Sequence, residues 1–336
     1  MVADNLRFAI FGAGFWSTFQ IPAWFEIDGV QLVALYNRTV SKAEQLAARY
    51  DIPRVYSDPE ELFKHEQLDF ADIVTHEVMH APLVSLAARY RVPVICQKPM
   101  APDYQTCVQM VQVCREAGVP FMIHENFRWQ RPMRAVKAAL DAGSIGRPYR
   151  ARIALSHGTL EVAQNQPYLR ELEHWALTDM GSHALDVARF FFGEAQSLYC
   201  QTYKCGRWVG ARGEDIVTVV LRMGDVICNV DLGWVDNPIL QIEGTRGTLE
   251  LRADDTLSVT TDEGATVEKV IYPHHKWADP AYGAIHPSIV DCNSDLLRAI
   301  RTGQPAETNG DDNLRTMRLV YASYESAERN EVVHSG

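Results

Sequence analysis

The sequence predicts two domains of different class. Residues 1–125 read as an α/β domain with a doubly wound parallel sheet, and residues 126–336 as an α+β domain with an open, mostly antiparallel sheet and helices. Three observations carry that expectation. Short apolar runs alternate with helical stretches through the first third, as strands covered on both faces by helices require. After about residue 125, strands alternate with tight turns instead. The chain's 336 residues also exceed the roughly 250–300 that one core usually organises.

The elements follow in order. Leu6–Phe11 (LRFAIF) is a short strand that runs into GAGFWS, residues 12–17, then a helical stretch and a second strand from Val30 to Tyr36. Strand, G-x-G, helix and strand within about 30 residues is the dinucleotide-binding (Rossmann) arrangement. Gly12 permits the tight turn, and Gly14 lets the backbone approach a pyrophosphate seated at the helix N-terminus. Ser17 stands where a third glycine is usual. Phe15 and Trp16 complete the turn. The second strand ends in Asn37 and Arg38, where NAD enzymes usually carry an acid. Asn37 can still bond a ribose hydroxyl, and Arg38 can pair with a 2′-phosphate, stack on adenine or stand in solvent. NAD or NADP is therefore the expected cofactor.

The alternation continues with a helix over 41–49, a strand near Val55, a helix from Pro59 and a strand over 70–74. A helix over 81–90, a strand over 92–96, a helix over 104–117 and a strand over 120–124 complete it. Ligands in such sheets lie at the carboxyl ends of the strands. One of those ends holds HEVMH, residues 76–80, which spells the zinc pattern H-E-x-x-H. That motif needs a continuous helix, but FADIVT before it reads as a buried strand. Pro82 would clash with the carbonyl of Val78 inside a helix, and it fits the first turn of one starting near His80 or Ala81. No metal is expected. His76 and His80, with Thr75, are instead placed on the cofactor side.

In the second domain, a helix over 131–142 precedes strands over 150–155, 197–203, 216–223 and 226–234, and a hairpin over 240–251. Final helices lie near 288–301 and 312–327. One helix interrupts the strands, Leu177 to Gly193 (LTDMGSHALDVARFFFG). Asp179 and His183 are four apart and share one face. A carboxylate there can bind a substrate hydroxyl while an imidazole accepts its proton. The plain alternative is a helix-capping aspartate and a buried histidine. Asp186, three residues on, either orients His183 or stands in solvent.

Composition narrows the function classes. A net charge of −11 leaves no electrostatic footprint for nucleic acid or an anionic membrane. Seven cysteines form no C-x-x-C pair, which suits buried thiols in a reducing compartment. The N-terminus lacks a signal-peptide pattern, and no apolar run approaches the roughly 18 residues of a membrane span. A cytoplasmic protein is expected.

Together, GAGFWS, Thr75 with His80, Gln97-Lys98-Pro99, Asn126–Trp129 (NFRW), Asp179–Asp186 (DMGSHALD) and Ile242–Leu251 (IEGTRGTLEL) resemble the Gfo/Idh/MocA oxidoreductases over nearly the whole chain. The resemblance implies a catalytic set of Lys98, Asp179 and His183. His183 would take the hydroxyl proton, Lys98 would hydrogen-bond the same oxygen, and Asp179 would position substrate and imidazole. Gln97 is placed on the cofactor side; Asn126 and Arg128, which follow the next strand, are placed on the substrate side, as are His157 and Trp175, whose loops, with that of Tyr168, are expected to set substrate choice. The implied activity is NAD(P)-dependent oxidation of a small sugar or polyol, such as an aldose like D-apiose at C1 to its lactone, with NAD favoured for a catabolic role. A homodimer or homotetramer through the C-terminal sheet is implied by analogy. The rivals are an NAD-dependent glycoside hydrolase and a non-catalytic dinucleotide sensor. Two departures stand out: Gln97 replaces a usual glutamate, and His76 a usual proline.

Overall fold

The computed structural model describes residues 5–158, 166–234 and 240–334. It divides into two units. The first joins Met1–Asn126 with His274–Met317, and the second joins Phe127–Pro273 with Arg318–Gly336. The simple split near residue 125 thus acquires a return crossing: the segment 274–317 packs with the first unit although it follows the second sheet.

In the first unit six parallel strands lie in the order β3-β2-β1-β4-β5-β6. They are β1 (Leu6–Phe11), β2 (Val30–Tyr36), β3 (Val55–Tyr56), β4 (Phe70–Ile73), β5 (Val94–Gln97) and β6 (Phe121–His124). The order reverses between β1 and β4, which is where doubly wound sheets open a ligand crevice. β4, β5 and β6 are buried at every position, so they read as mostly apolar runs rather than alternating ones. The helices are α1 (Ser17–Trp24), α2 (Val40–Tyr50), α3 (Pro59–His65), α4 (His80–Arg89) and α5 (Tyr104–Ala117). α3 and α5 start where sequence chemistry demands it. Asp58 accepts from the Glu60 and Glu61 amides, and Asp103 accepts from that of Thr106.

HEVMH adopts the turn that Pro82 requires. Glu77–Met79 form one 3₁₀ turn, and α4 starts at His80, placing Pro82 in its first turn. His76 is exposed and His80 fully buried.

In the second unit the described residues form a nine-stranded sheet, order β14-β13-β12-β11-β7-β10-β9-β8-β15. Its strands are β7 (Pro148–Ser156), β8 (Ser197–Tyr203), β9 (Ile216–Met223), β10 (Val226–Gly233), β11 (Leu240–Gly244), β12 (Gly247–Leu251), β13 (Thr256–Thr261), β14 (Gly264–Lys269) and β15 (Val333–His334). Pairing is antiparallel except between β7 and β10, which run parallel. β9 alternates strictly between buried and outward positions, as a sheet covered on one face does. α6 (Arg131–Asp141) and α7 (Ser182–Phe192) belong to this unit. α8 (Ile285–Thr302) lies in the first, and α9 (Gly310–Arg329) begins in the first and ends in the second. β13 and β14 escape the sequence reading because β14 is exposed at all six positions and shows no apolar period. No helix of the described residues is long and apolar enough to cross a membrane.

Candidate active site

The glycine turn is forced by geometry. Gly12 sits at φ +126°, and a Cβ there would lie 2.0 Å from the carbonyl oxygen of Val74, so β1 and β4 can approach only with glycine. A Cβ at Gly14 would meet nothing within 4 Å, which leaves open space over the turn. Ser17 Oγ donates to the Gly12 carbonyl (3.0 Å), tying the start of α1 to the turn. Among the described residues no side chain caps α1, and its first turn carries no acid. An open turn at an uncapped, acid-free helix start fits a dinucleotide pyrophosphate.

The residues around this turn divide into those that face it and those spent elsewhere. Asn37 accepts from the Ala13 amide (3.1 Å) and donates to the Thr39 carbonyl (2.8 Å), so it holds the turn beside β2. Arg38 is exposed. The rings of Phe15 and Trp16 enter an aromatic cluster with Phe19, Tyr282 and His286 (Phe15–Phe19 5.2 Å, Trp16–His286 5.7 Å). What these two offer a ligand is therefore backbone more than ring. Thr75 places its methyl beside Gly12.

His80 departs from its expected direct contact with a cofactor. It is 0% exposed, its Nδ1 lies 3.1 Å from the carbonyls of both Pro99 and Met100, and its Nε2 lies 3.1 Å from that of Thr75. Burial lowers its pKa. His80 is a brace between the loop after β4 and the loop after β5. That second loop follows Gln97, the last residue of β5, and carries Lys98, with a cis peptide before Pro99.

Behind Gln97 runs a buried polar chain absent from the sequence reading. Gln97 Nε2 donates to Gln20 Oε1 (3.3 Å), and Gln20 Nε2 donates to Asp72 Oδ2 (2.9 Å) and Asn293 Oδ1 (3.2 Å). Trp24 Nε1 donates to the same Asp72 oxygen (2.7 Å). Burial pushes the Asp72 carboxyl up to about 6, partly offset by the Trp24 and Gln20 hydrogen bonds. One acid inside the apolar run FADIV was the available signal.

Asn126 and Arg128, expected on the substrate side, are bound within the protein. Asn126 Nδ2 donates to the Ser288 hydroxyl (2.8 Å) and the Ile285 carbonyl (3.2 Å), pinning the end of β6 to α8. Arg128 is 5% exposed and bidentate on Asp186 (Nε–Oδ2 2.7 Å, Nη2–Oδ1 2.5 Å). A guanidinium so engaged braces the Phe127–Trp129 turn against α7. Asp186 is accordingly its partner and also lies near Arg189 (3.8 Å).

Asp179 and His183 fall on a helix with an irregular start. Leu177–Gly181 form a π turn and α7 begins at Ser182, so the expected uniform α spacing is widened by the wider ring. Glu214 fixes this start: its Oε1 accepts from the Ala176 and Leu177 amides (3.0 and 3.3 Å) and from the Tyr324 hydroxyl (2.8 Å). His183 is buried and stacks flat on Phe127 (3.8 Å between centroids, 13°). Nearby, His157 lies between Trp175 (4.6 Å) and Trp234 (5.1 Å). Its Nε2 is 2.9 Å from the Asp215 carbonyl, which makes Nε2 the protonated nitrogen. Burial lowers its pKa, and the Asp179 charge partly opposes that. Neither His157 Nδ1 nor Trp175 Nε1 has a hydrogen-bond partner among the described residues, although both are buried. One acceptor and one donor are thus left over beside Asp179. Lys98 belongs to the first unit, and Asp179, His183, His157 and Trp175 to the second.

Comparison with known proteins agrees with this layout. The chain matches the model described as an oxidoreductase family with an NAD-binding Rossmann fold over residues 6–125, and the GFO/IDH/MocA C-terminal domain over residues 133–250. It is 35% identical to D-apiose dehydrogenase of Rhizobium rhizogenes, covering 100% of this chain and 99% of that protein. It is 36% identical to D-apiose dehydrogenase of Paraburkholderia graminis, covering 97% and 88%. A solved oxidoreductase from Agrobacterium radiobacter, in complex with NAD+, L-tartaric acid and magnesium, superposes with a TM-score of 0.94 at 34% identity, covering 98% of each chain. An open glycine turn on a 3-2-1-4-5-6 parallel sheet and a second, mostly antiparallel sheet are both accounted for by that kinship: the chain belongs to the Gfo/Idh/MocA family of NAD(P)-dependent oxidoreductases.

Proposed function

We propose that this enzyme oxidises a small aldose at C1 to the corresponding lactone, with D-apiose the first substrate to test. Identity of 35–36% to two D-apiose dehydrogenases over nearly the whole chain carries the reading. The second unit's geometry supports it: His157 Nδ1 and Trp175 Nε1 are an acceptor and a donor without a hydrogen-bond partner among the described residues, groups that a polyhydroxy substrate could use.

The bound nicotinamide cofactor supplies the acceptor for the hydride leaving the carbinol carbon. Gly12, Gly14 and the backbone of Phe15 and Trp16 would hold its pyrophosphate. Asn37, Arg38, Thr75, His76 and Gln97 line the neighbouring strand ends, and His80 keeps two of those ends in register. His183 accepts the hydroxyl proton as the carbon–hydrogen bond breaks. Lys98 donates a hydrogen bond to the same oxygen, and Asp179 orients substrate and imidazole. A homodimer or homotetramer through the outer face of the second sheet is part of the reading, supported by exposed Tyr149, Val220 and Ile227 on that face. The compartment proposed is the cytoplasm, which suits six buried thiols.

Purified protein should be screened against aldoses and polyols with NAD+ and NADP+, following absorbance of the reduced cofactor. Net cofactor reduction with D-apiose or a related aldose is expected. Reduction with polyols alone would move the reading to a polyol dehydrogenase, and turnover without net reduction would exclude a dehydrogenase.

A further inference from the structure

We infer that Asp72 and Gln20 are positioning residues, which turn the Gln97 amide so that its carbonyl oxygen is the group presented at the end of β5 beside Lys98. The inference rests on the reading above, in which that strand end faces the nicotinamide half of the cofactor.

The orientation follows from what each group can donate. An ionised carboxylate only accepts. Asp72 is 0% exposed and its Oδ2 lies 2.9 Å from the Gln20 side chain, so Gln20 must turn its NH₂ toward it. That NH₂ has a second hydrogen, and Asn293 Oδ1 takes it at 3.2 Å. Gln20 must then point its carbonyl the other way, where Gln97 lies at 3.3 Å. A carbonyl needs a donor, so Gln97 also contributes its NH₂ and is left with its oxygen to offer. The ambiguity that usually attends an amide's two ends is removed at both glutamines by one buried charge.

The direction of the chain has a second effect. Each amide dipole points its negative end away from Asp72, so successive hydrogen bonds polarise one another and strengthen the last acceptor. Gln97, 6% exposed, thus becomes a fixed and reinforced acceptor. It suits a ribose hydroxyl or a carboxamide N–H, both of which a nicotinamide nucleotide carries. It would reject a group that only accepts. Burial of the carboxylate opposes folding. Folding raises the Asp72 carboxyl to about 6, so the stability tied to it is lost as pH rises through that value. A charge kept against its own desolvation points to a role outside the fold's stability.

The test compares wild type with Asp72→Asn, Gln20→Met and the double variant at pH 7.5. Asp72→Asn removes the charge that sets the direction, and Gln20→Met cuts the chain while leaving Asp72 its bond from Trp24. The dissociation constant of whichever of NAD+ or NADP+ the wild type binds is measured by calorimetry without sugar, beside the melting temperature and steady-state kinetics. Each single variant is expected to bind the cofactor about fivefold to tenfold more weakly, the range of one hydrogen bond lost. The double variant should be no worse than the weaker single, since both break one chain. KM for the cofactor should rise with that for the sugar unchanged, and Asp72→Asn should melt no lower than wild type. Folded Gln20→Met protein that binds cofactor within about twofold of wild type overturns the inference, as do multiplying losses in the double variant. Should Asp72→Asn fail to fold, Gln20→Met decides alone. Wild-type protein that binds neither dinucleotide sinks the functional reading itself, and the inference with it.

Discussion

The two units use buried histidines in opposite ways, and the difference lies in what remains at the ring. In the first unit His80 faces backbone carbonyls from both nitrogens, Thr75 on one side and Pro99 and Met100 on the other. Such a ring has nothing left for a ligand and serves to tie two loops together. In the second unit His157 commits only Nε2, and Nδ1 has no hydrogen-bond partner among the described residues. His183 stacks face-on with Phe127, a contact that fixes the plane of its ring. All three are buried, so burial alone does not separate scaffold from chemistry. Between His80 and His157 the account of committed donors and acceptors does.

The largest effect should come at the proposed proton acceptor. His183→Ala and Lys98→Ala are each expected to lower kcat about 10²- to 10⁴-fold, the range for a general base or an oxyanion-side donor, with KM for the cofactor changed far less. His80→Phe should instead lower the melting temperature and weaken cofactor binding, because the loops after β4 and β5 lose their tie. Steady-state kinetics paired with thermal melts checks both. If His80→Phe cut kcat as deeply as His183→Ala while keeping cofactor affinity, the division between brace and base would collapse.

Next in size is the buried ion pair. Arg128→Ala leaves Asp186, 0% exposed, without its bidentate partner, and should cost about 3–5 kcal/mol of stability in urea unfolding. Replacing both partners by apolar residues, Arg128→Met with Asp186→Leu, should recover most of that loss. A substrate-binding arginine would behave otherwise: sugar KM would rise, and the second substitution would not restore it.

These cases also mark how far the sequence could be read. The glycine turn was legible because backbone sterics at Gly12 leave one residue type, and the strands because β4, β5 and β6 are buried at every position and mostly apolar. HEVMH was legible as a turn because Pro82 forbids the alternative. What the sequence hid was partnership. Arg128 and Asn126 look like ligand-binding groups until Asp186, Ser288 and Ile285 are found against them, from segments 58 to 162 residues away. Gln20, Asp72 and Gln97 lie on three separate elements, and no local period links them. The π turn before α7 was hidden for a similar reason. Leu177–Gly181 has ordinary helical composition, and the widened turn is stabilised by Glu214 from a distant loop.

The smallest expected effect is the most informative about substrate choice. Trp175 is 1% exposed, rests against His157 and meets Trp208 edge-on at 5.4 Å, yet its Nε1 has no hydrogen-bond partner among the described residues. Trp175→Phe keeps an aromatic ring in the cluster and deletes the N–H. His157→Phe likewise deletes the Nδ1 acceptor. Each should raise KM for the aldose about twofold to tenfold, the worth of one hydrogen bond, while KM for the cofactor stays level. The sign of specificity should differ between them. A substrate lacking the hydroxyl that His157 accepts from should lose its disadvantage in His157→Phe but not in Trp175→Phe, since a site built to bond a hydroxyl penalises its absence. Assays with deoxy-aldoses separate the two. Equal KM for every sugar in both variants would return this pair to the core and leave substrate recognition in the second unit to Asp179 and His183.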